Sequence, residues 1–160
     1  MHYILLLVTA LFYTACGDNA PKASENIQTE HYRSLTDGHN ETVIRDVRQQ
    51  LLFINSIQGC KALHGDTETL PETAAQFCAS LYFYGRNDWR VPTLHEIQTF
   101  SKGMDAEGLI PYFTFPQCKR IVGEKADGNI GSINTHNAAP KFEEVPLKLP
   151  AGLRCVTEAR

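Results

Sequence analysis

Cysteines are the residues of this 160-residue sequence with the greatest chemical capacity, because a thiol can be acylated, bind zinc or form a disulfide. There are five of them: Cys16, Cys60, Cys78, Cys118 and Cys155. Residues 1–15 are an apolar run with the length of a secretory signal, which predicts delivery to an oxidising compartment. Cys16 directly follows this run and is considered separately below. The other four cysteines predict two disulfides, for which three pairings are possible.

Zinc binding is the alternative use of these thiols. The set would be Cys60, His64, Cys118 and His136, and it lacks the closely paired cysteines typical of structural zinc sites. The sequence therefore favours disulfides, and we expect no metal and no cofactor.

Carboxylates are the next candidates for chemistry, as members of general acid and base pairs. The sequence offers Asp105, Glu107, Glu143 and Glu144. Acidic residues on charged surface loops are more common than catalytic carboxylate pairs. His95-Glu96 resembles the start of a zinc-protease helix motif, but the second histidine of that motif is absent. No Gly-x-Ser-x-Gly, phosphate loop or dinucleotide fingerprint occurs, so no catalytic residue is predicted.

Two polar stretches suggest ligands more weakly. Asn87-Asp88 beside Trp89 could contribute to a calcium site, but such a site takes about six to eight oxygens and a turn explains the pair as well. A basic run that could meet an acidic glycan contains Lys119, Arg120 and Lys125, and it is diluted by Glu124 and Asp127.

Two predicted helices and a tryptophan organise the central part of the chain. The first helix begins near Pro71, has Phe77, Cys78, Leu81 and Tyr82 on one face, and is expected to stop at Gly85. Trp89-Arg90-Val91 is then extended, because Pro92 disfavours helical angles in the residue before it.

The second helix begins with a capping box, in which Thr93 and Glu96 each satisfy a backbone N–H at the other's position. Leu94, Ile97 and Phe100 give its buried stripe. We expect Trp89 to be a core anchor rather than a ligand platform, and Arg90 to pair with a carboxylate or a helix end.

The rest of the domain is predicted to be short strands. They lie at residues 42–46, 51–54, 119–122, 132–134, 142–147 and 153–157. Two helices followed by loop-rich strands predict an α+β fold.

At the leader, Thr14-Ala15-Cys16-Gly17 resembles the lipobox of bacterial prolipoproteins, which implies cleavage before Cys16 and its acylation. The alternative is an ordinary signal followed by an unused cysteine. Lipidation would place the protein in the bacterial cell envelope, periplasmic or surface-exposed.

Residues 16–40 then have few apolar side chains and are predicted to be a flexible tether with a reach of roughly 25–30 Å. Residues 41–160 are enough for one domain. The net charge of −3 argues against nucleic acid as a partner.

The central motif resembles a known bacterial family. Phe77-Cys78 followed by GRNDWRVPTLHEIQTF, and the closing Arg154-Cys155-Val156, are similar to the C-terminal domain of the Legionella collagen-like adhesin. Asp46 with Leu51-Leu52-Phe53 is similar to that family's opening.

This resemblance, over about residues 41–160, implies a C-type-lectin-like domain with a small, mainly antiparallel sheet. It also implies a Cys78–Cys155 disulfide, which leaves Cys60–Cys118 as the second. The expected function is a binding or adhesion module, not an enzyme, that recognises an envelope protein or glycan.

A second resemblance implies an alternative function. The segment Trp89-Arg90-Val91-Pro92-Thr93 with Glu96 is also similar to a motif of formylglycine-generating enzymes, whose fold is related to C-type lectins. That resemblance implies a thiol-dependent modifying enzyme, although the closely spaced active-site cysteines of those enzymes have no counterpart here.

Overall fold

The computed structural model describes residues 27–54, 70–109, 120–135, 140–145 and 151–160. Within these ranges the chain forms two α-helices and seven β-strands, and the strands make two antiparallel sheets. This is the predicted α+β class. Neither helix of the described ranges is long and apolar enough to cross a membrane.

The first sheet joins the two ends of the domain. Its strands are β1 (Tyr32–Thr36), β2 (Thr42–Asp46), β3 (Leu51–Ile54) and β7 (Val156–Glu158). They pair antiparallel in the order β1-β2-β3-β7, which places the C-terminal strand beside β3 as predicted. The bounds of β2 and β3 are those predicted.

A buried carboxylate holds the turn between β2 and β3. Asp46 is fully buried, and its Oδ1 accepts the backbone N–H groups of Arg48 and Gln49 at 2.9 and 3.0 Å. Its Oδ2 accepts the side-chain amide of Gln49 at 2.8 Å. The aspartate of the opening motif is therefore a turn residue.

The second sheet contains β4 (Arg120–Glu124), β5 (Ile130–Asn134) and β6 (Lys141–Val145), paired antiparallel in that order. These strands overlap the three predicted from the sequence. β4 and β5 extend to either side of a tight turn in which Gly128 donates to the carbonyl of Lys125 at 2.9 Å.

The helices are α1 (Leu70–Ala79) and α2 (Leu94–Ala106), and they cover opposite faces of the first sheet. Phe53 stacks on Phe100 of α2 with ring centroids 4.0 Å apart. The other face of the sheet packs on Cys78 of α1 and on Trp89. Because both faces are covered, all four side chains of β3 are buried, which explains its unbroken apolar sequence.

The predicted Cys78–Cys155 disulfide is confirmed. It links α1 to the residue before β7, with 5.6 Å between the two Cα atoms. The neighbouring Arg154 is fully buried, donates to the carbonyl of Ile54 at 2.8 Å, and has its pKa lowered by burial to about 9. The predicted Cys60–Cys118 bridge, the alternative zinc residues His64 and His136, and Cys16 lie outside the described residues.

The predicted end of the first helix is wrong. α1 ends at Ala79, and Gly85 lies instead in a two-residue hairpin closed by reciprocal hydrogen bonds between Phe83 and Arg86 at 2.9 and 3.0 Å. Tyr84 and Gly85 both have positive φ, 54° and 67°, as a type I′ turn requires. Tyr82, predicted on the buried helix face, is 76% exposed because it precedes this hairpin rather than continuing the helix.

The predicted tether is wrong for its second half. β1 lies within residues 16–40 and pairs along its whole length with β2. Tyr32 is fully buried and meets Phe100 edge-on, with ring centroids 5.5 Å apart. The strand β1 is ordered by its backbone pairing and by one buried ring. The low apolar content of the segment therefore gave no indication that a strand forms there.

Candidate functional site

Trp89 is a core residue, as expected. Its side chain is 2% exposed, and its indole N–H donates to the carbonyl of Phe83 at 3.1 Å. The Phe83 ring meets it edge-on with a centroid distance of 6.1 Å. A ligand has no access to this ring, so the tryptophan holds the hairpin onto the sheet.

Arg90, Thr93 and Glu96 form one hydrogen-bonded network at the start of α2. The guanidinium of Arg90 donates to both carboxylate oxygens of Glu96, each at 2.8 Å. Glu96 also accepts the backbone N–H of Thr93 at 2.7 Å, and the Thr93 hydroxyl accepts the backbone N–H of Glu96 at 3.1 Å. The predicted capping box and the predicted pairing of Arg90 are both present, and they fix the angle at which α2 begins.

The network shifts the titration of Glu96. Burial by itself raises the pKa of this carboxyl, but the hydrogen bonds from Arg90 and the Thr93 backbone outweigh burial and bring the pKa below its ordinary value. A carboxylate with a lowered folded-state pKa stabilises the fold above its unfolded pKa and loses that contribution as the pH falls through the folded value.

We therefore expect Glu96→Gln, which retains a capping side chain, to lower the free energy of unfolding by about 1–2 kcal/mol at neutral pH. The difference from wild type should shrink as the pH falls below the ordinary carboxyl pKa of 4.5. Urea unfolding at a series of pH values measures it. Glu158→Gln removes the exposed 3.3 Å partner of the same arginine and should change stability by less than about 0.5 kcal/mol; equal effects of the two substitutions would contradict the assigned role of Glu96.

Asn87-Asp88 follows the hairpin turn at Tyr84-Gly85, and Asp88 has a partner that explains it without calcium. Arg86 donates to the Asp88 carboxylate through two nitrogens, one of them at 2.8 Å, and also to the Thr157 hydroxyl at 3.1 Å. The hydrogen bonds from Arg86 lower the pKa of Asp88 to about 2. Because a guanidinium already neutralises this carboxylate, it is a poor ligand for a cation.

A concave surface among the described residues lies where α2 begins, and we name it the α2 groove. Its volume is about 860 Å³, within the range of ligand pockets, and most of its lining is apolar. Its lining residues are Thr93, Leu94, His95, Gln98, Glu124, Lys125, Ala126, Asp127 and Glu144. They come from the first turns of α2, the end of β4, the β4–β5 turn, and β6.

Close contact between the motif and β4 forms one wall of the α2 groove. The backbone N–H of Glu124 donates to the carbonyl of Pro92 at 2.9 Å, so the chain entering α2 runs parallel to the end of β4. A Cβ on Gly123 would lie 2.7 Å from the Cα of Leu94, which no other residue could accommodate without a backbone shift. The motif that opens α2 therefore also shapes the groove.

The charged side chains that line the α2 groove are mainly acidic. Glu124, Asp127 and Glu144 contribute carboxylates, and Lys125 pairs with Glu144 at 3.3 Å. Asp127 accepts the backbone N–H of Asn129 at 3.0 Å, and hydrogen bonds from Asn129 hold its pKa below the ordinary value. At neutral pH the groove therefore presents an excess of negative charge around an apolar floor.

The other acidic candidates are not assembled into a pair with each other. Glu107 directly follows α2 and lies 2.6 Å from the imidazole Nδ1 of His31, while Asp105 is exposed two residues earlier, in the last turn of the helix. Glu143 is exposed on β6 beside Glu144. Within the described ranges, no group of three or more His, Cys, Asp and Glu residues is placed to hold a metal ion.

The sequence pattern does not predict the α2 groove. It predicts Thr93 as a helix cap and Glu124 and Asp127 only as charges that dilute a basic run, and it indicates no role for Gln98. One signal was present: Gly123 and Gly131 stand opposite each other in the β4–β5 pairing, and a glycine pair within strands indicates close approach of another segment.

No family model, curated protein or solved structure matches this chain. The motif resemblance to the adhesin domain therefore stands on the quoted residues alone, and the functions that it implies are taken up as proposals.

Proposed function

We propose that this chain is a lipid-anchored binding module of the bacterial cell envelope that holds an envelope protein or glycan in the α2 groove. The groove itself is the observation that carries the proposal, because it combines ligand-sized volume, an apolar floor and a few polar side chains. The motif residues around it are occupied with structure: Arg90, Thr93 and Glu96 cap α2, and Trp89 is buried. That division suits a rigid frame with a separate binding surface.

A C-type-lectin-like architecture is part of the proposal. Its support is the pairing of the C-terminal strand β7 with β3, the disulfide that fastens α1 to that strand, and the second small sheet packed against α2. In this proposal β4, β6 and the β4–β5 turn carry the binding surface together with the start of α2.

The α2 groove can be tested in living cells with a photo-crosslinking amino acid at Gln98. We expect a discrete crosslinked product from that position. The matched control is the same amino acid at Arg33, which is exposed on β1 in the other sheet and should give none. Products of equal yield from the two positions, or none from Gln98, would remove the groove from the proposal.

The anchor has its own test. We expect Cys16→Ser to release the protein from the membrane fraction, because an acylated cysteine would be the hydrophobic attachment left after cleavage of the leader. Membrane fractionation and the intact mass of the mature protein measure this. Unchanged fractionation together with an N-terminus free of acyl chains would show that Cys16 is not an anchor.

Thiol counting separates this function from the alternative, a thiol-dependent modifying enzyme. Cys78 and Cys155 are joined and buried, so an enzyme of this kind would have to use Cys60 or Cys118. The binding-module proposal expects no thiol of the mature, unreduced protein to react with iodoacetamide in denaturant. One alkylated cysteine at either of those positions would favour the enzyme.

A further inference from the structure

The charge of the α2 groove allows its occupant to be specified further, and this step rests on the proposed function. Lys125 is engaged with Glu144 at 3.3 Å, so the one fixed positive charge of the lining is already matched. The carboxylates of Glu124 and Asp127 remain, and both residues are exposed at the rim. Three carboxylates against one ammonium give the lining a net negative charge at neutral pH, which a bound partner would meet.

Apolar surface sets the second requirement. Leu94 and Ala126 are the apolar residues of the lining and are what we call its floor; most of the lining surface is apolar, so a purely ionic ligand would leave it uncovered. Leu94 is fixed in place because its Cα lies against Gly123 and its side chain against Gly131. The floor is thus preformed, which reduces the entropy lost on binding.

We propose that the α2 groove binds a peptide segment of a protein partner in which an apolar side chain is flanked by lysine or arginine. The apolar side chain covers Leu94, and the cations meet Glu124 and Asp127. A peptide satisfies both requirements in one chain, whereas a polyamine satisfies only the requirement for positive charge. Acidic glycans are disfavoured, because their charge has the same sign as the rim.

The test is fluorescence anisotropy on the full chain with three labelled probes. The first is an acetylated and amidated pentapeptide of alternating lysine and leucine, the second has glutamate in place of lysine, and the third is spermine. We expect the lysine probe to bind at least about tenfold more tightly than either of the others, and its affinity to fall as the ionic strength rises.

Matched variants locate the binding. Glu124→Gln combined with Asp127→Asn should weaken the lysine probe by about tenfold or more. Asp105→Asn combined with Glu143→Gln changes the net charge equally at exposed positions outside the groove lining, and should leave the affinity within about twofold. Circular dichroism melting of both variants controls for folding.

Four outcomes would overturn the inference: equal binding of the lysine and glutamate probes, equal binding of spermine, equal losses in the two double variants, or no binding of the lysine probe. None of these outcomes tests the proposed lipid anchor at Cys16. A crosslink from Gln98 would still support the proposed function if the lysine probe failed to bind.

Discussion

Removal of the Cys78–Cys155 disulfide is expected to lower the free energy of unfolding by about 2–5 kcal/mol. The two cysteines are 77 residues apart, and closing a loop of that length restricts the unfolded chain by about 4 kcal/mol in the chain-entropy model. Typical domains have a total stability of about 5–15 kcal/mol, so this change could remove a large part of it. Urea unfolding of the Cys78→Ala and Cys155→Ala double variant measures the loss.

The two single variants provide the control. If the cysteines act only as a pair, each single substitution removes the same bridge, and the double variant should cost little more than either one. Additive single effects would contradict the pairing. Peptide mapping of the unreduced protein gives a direct readout, because a Cys78 peptide joined to Cys60 or Cys118 would disprove the closure of the first sheet described above.

Trp89→Ala is expected to lower the free energy of unfolding by about 3–5 kcal/mol, the usual loss for a buried large aromatic side chain. The indole is 2% exposed, packs edge-on against Phe83 and donates to its carbonyl, so truncation leaves a cavity and removes one hydrogen bond. Chemical unfolding followed by far-ultraviolet circular dichroism measures this without relying on tryptophan fluorescence.

Two nearby substitutions calibrate that result. Thr93→Ala should cost about 1 kcal/mol, as expected for loss of a helix cap. Tyr82→Ala removes another aromatic side chain, but one that is 76% exposed, and should change stability by less than about 0.5 kcal/mol. A Trp89→Ala protein that unfolds like wild type yet loses the lysine probe would make Trp89 a binding residue and reverse its assignment.

Local sequence patterns predicted the elements of this domain well where neighbouring residues decide the outcome. The capping box at Thr93 and Glu96 depends on groups within one helical turn, and the bounds of β2 and β3 follow from short apolar runs bordered by the turn after Asp46. The pairing of Cys78 with Cys155 came from the family resemblance, since spacing alone left three pairings open.

Errors arose where distant residues decide the outcome. Tyr32 and the rest of β1 are ordered by pairing with β2 and by contact with Phe100, neither of which the composition of residues 16–40 reveals. Tyr82 continued the apolar period of α1, but the reciprocal hydrogen bonds of Phe83 and Arg86 turn the chain into a hairpin and leave that side chain in solvent.

The sequence by itself determined the α+β class, the two helices, the capping box of Thr93 and Glu96, and the role of Trp89 as a core residue, because propensity, capping and apolar period are local properties. Only the tertiary structure decided the α2 groove. Its lining joins Gln98 of α2 with Asp127 of the β4–β5 turn and Glu144 of β6, and Gly123 allows the backbones to meet closely enough to form a wall. A cavity depends on distances between segments far apart in the chain, and those distances are set by packing rather than by the identity of neighbouring residues.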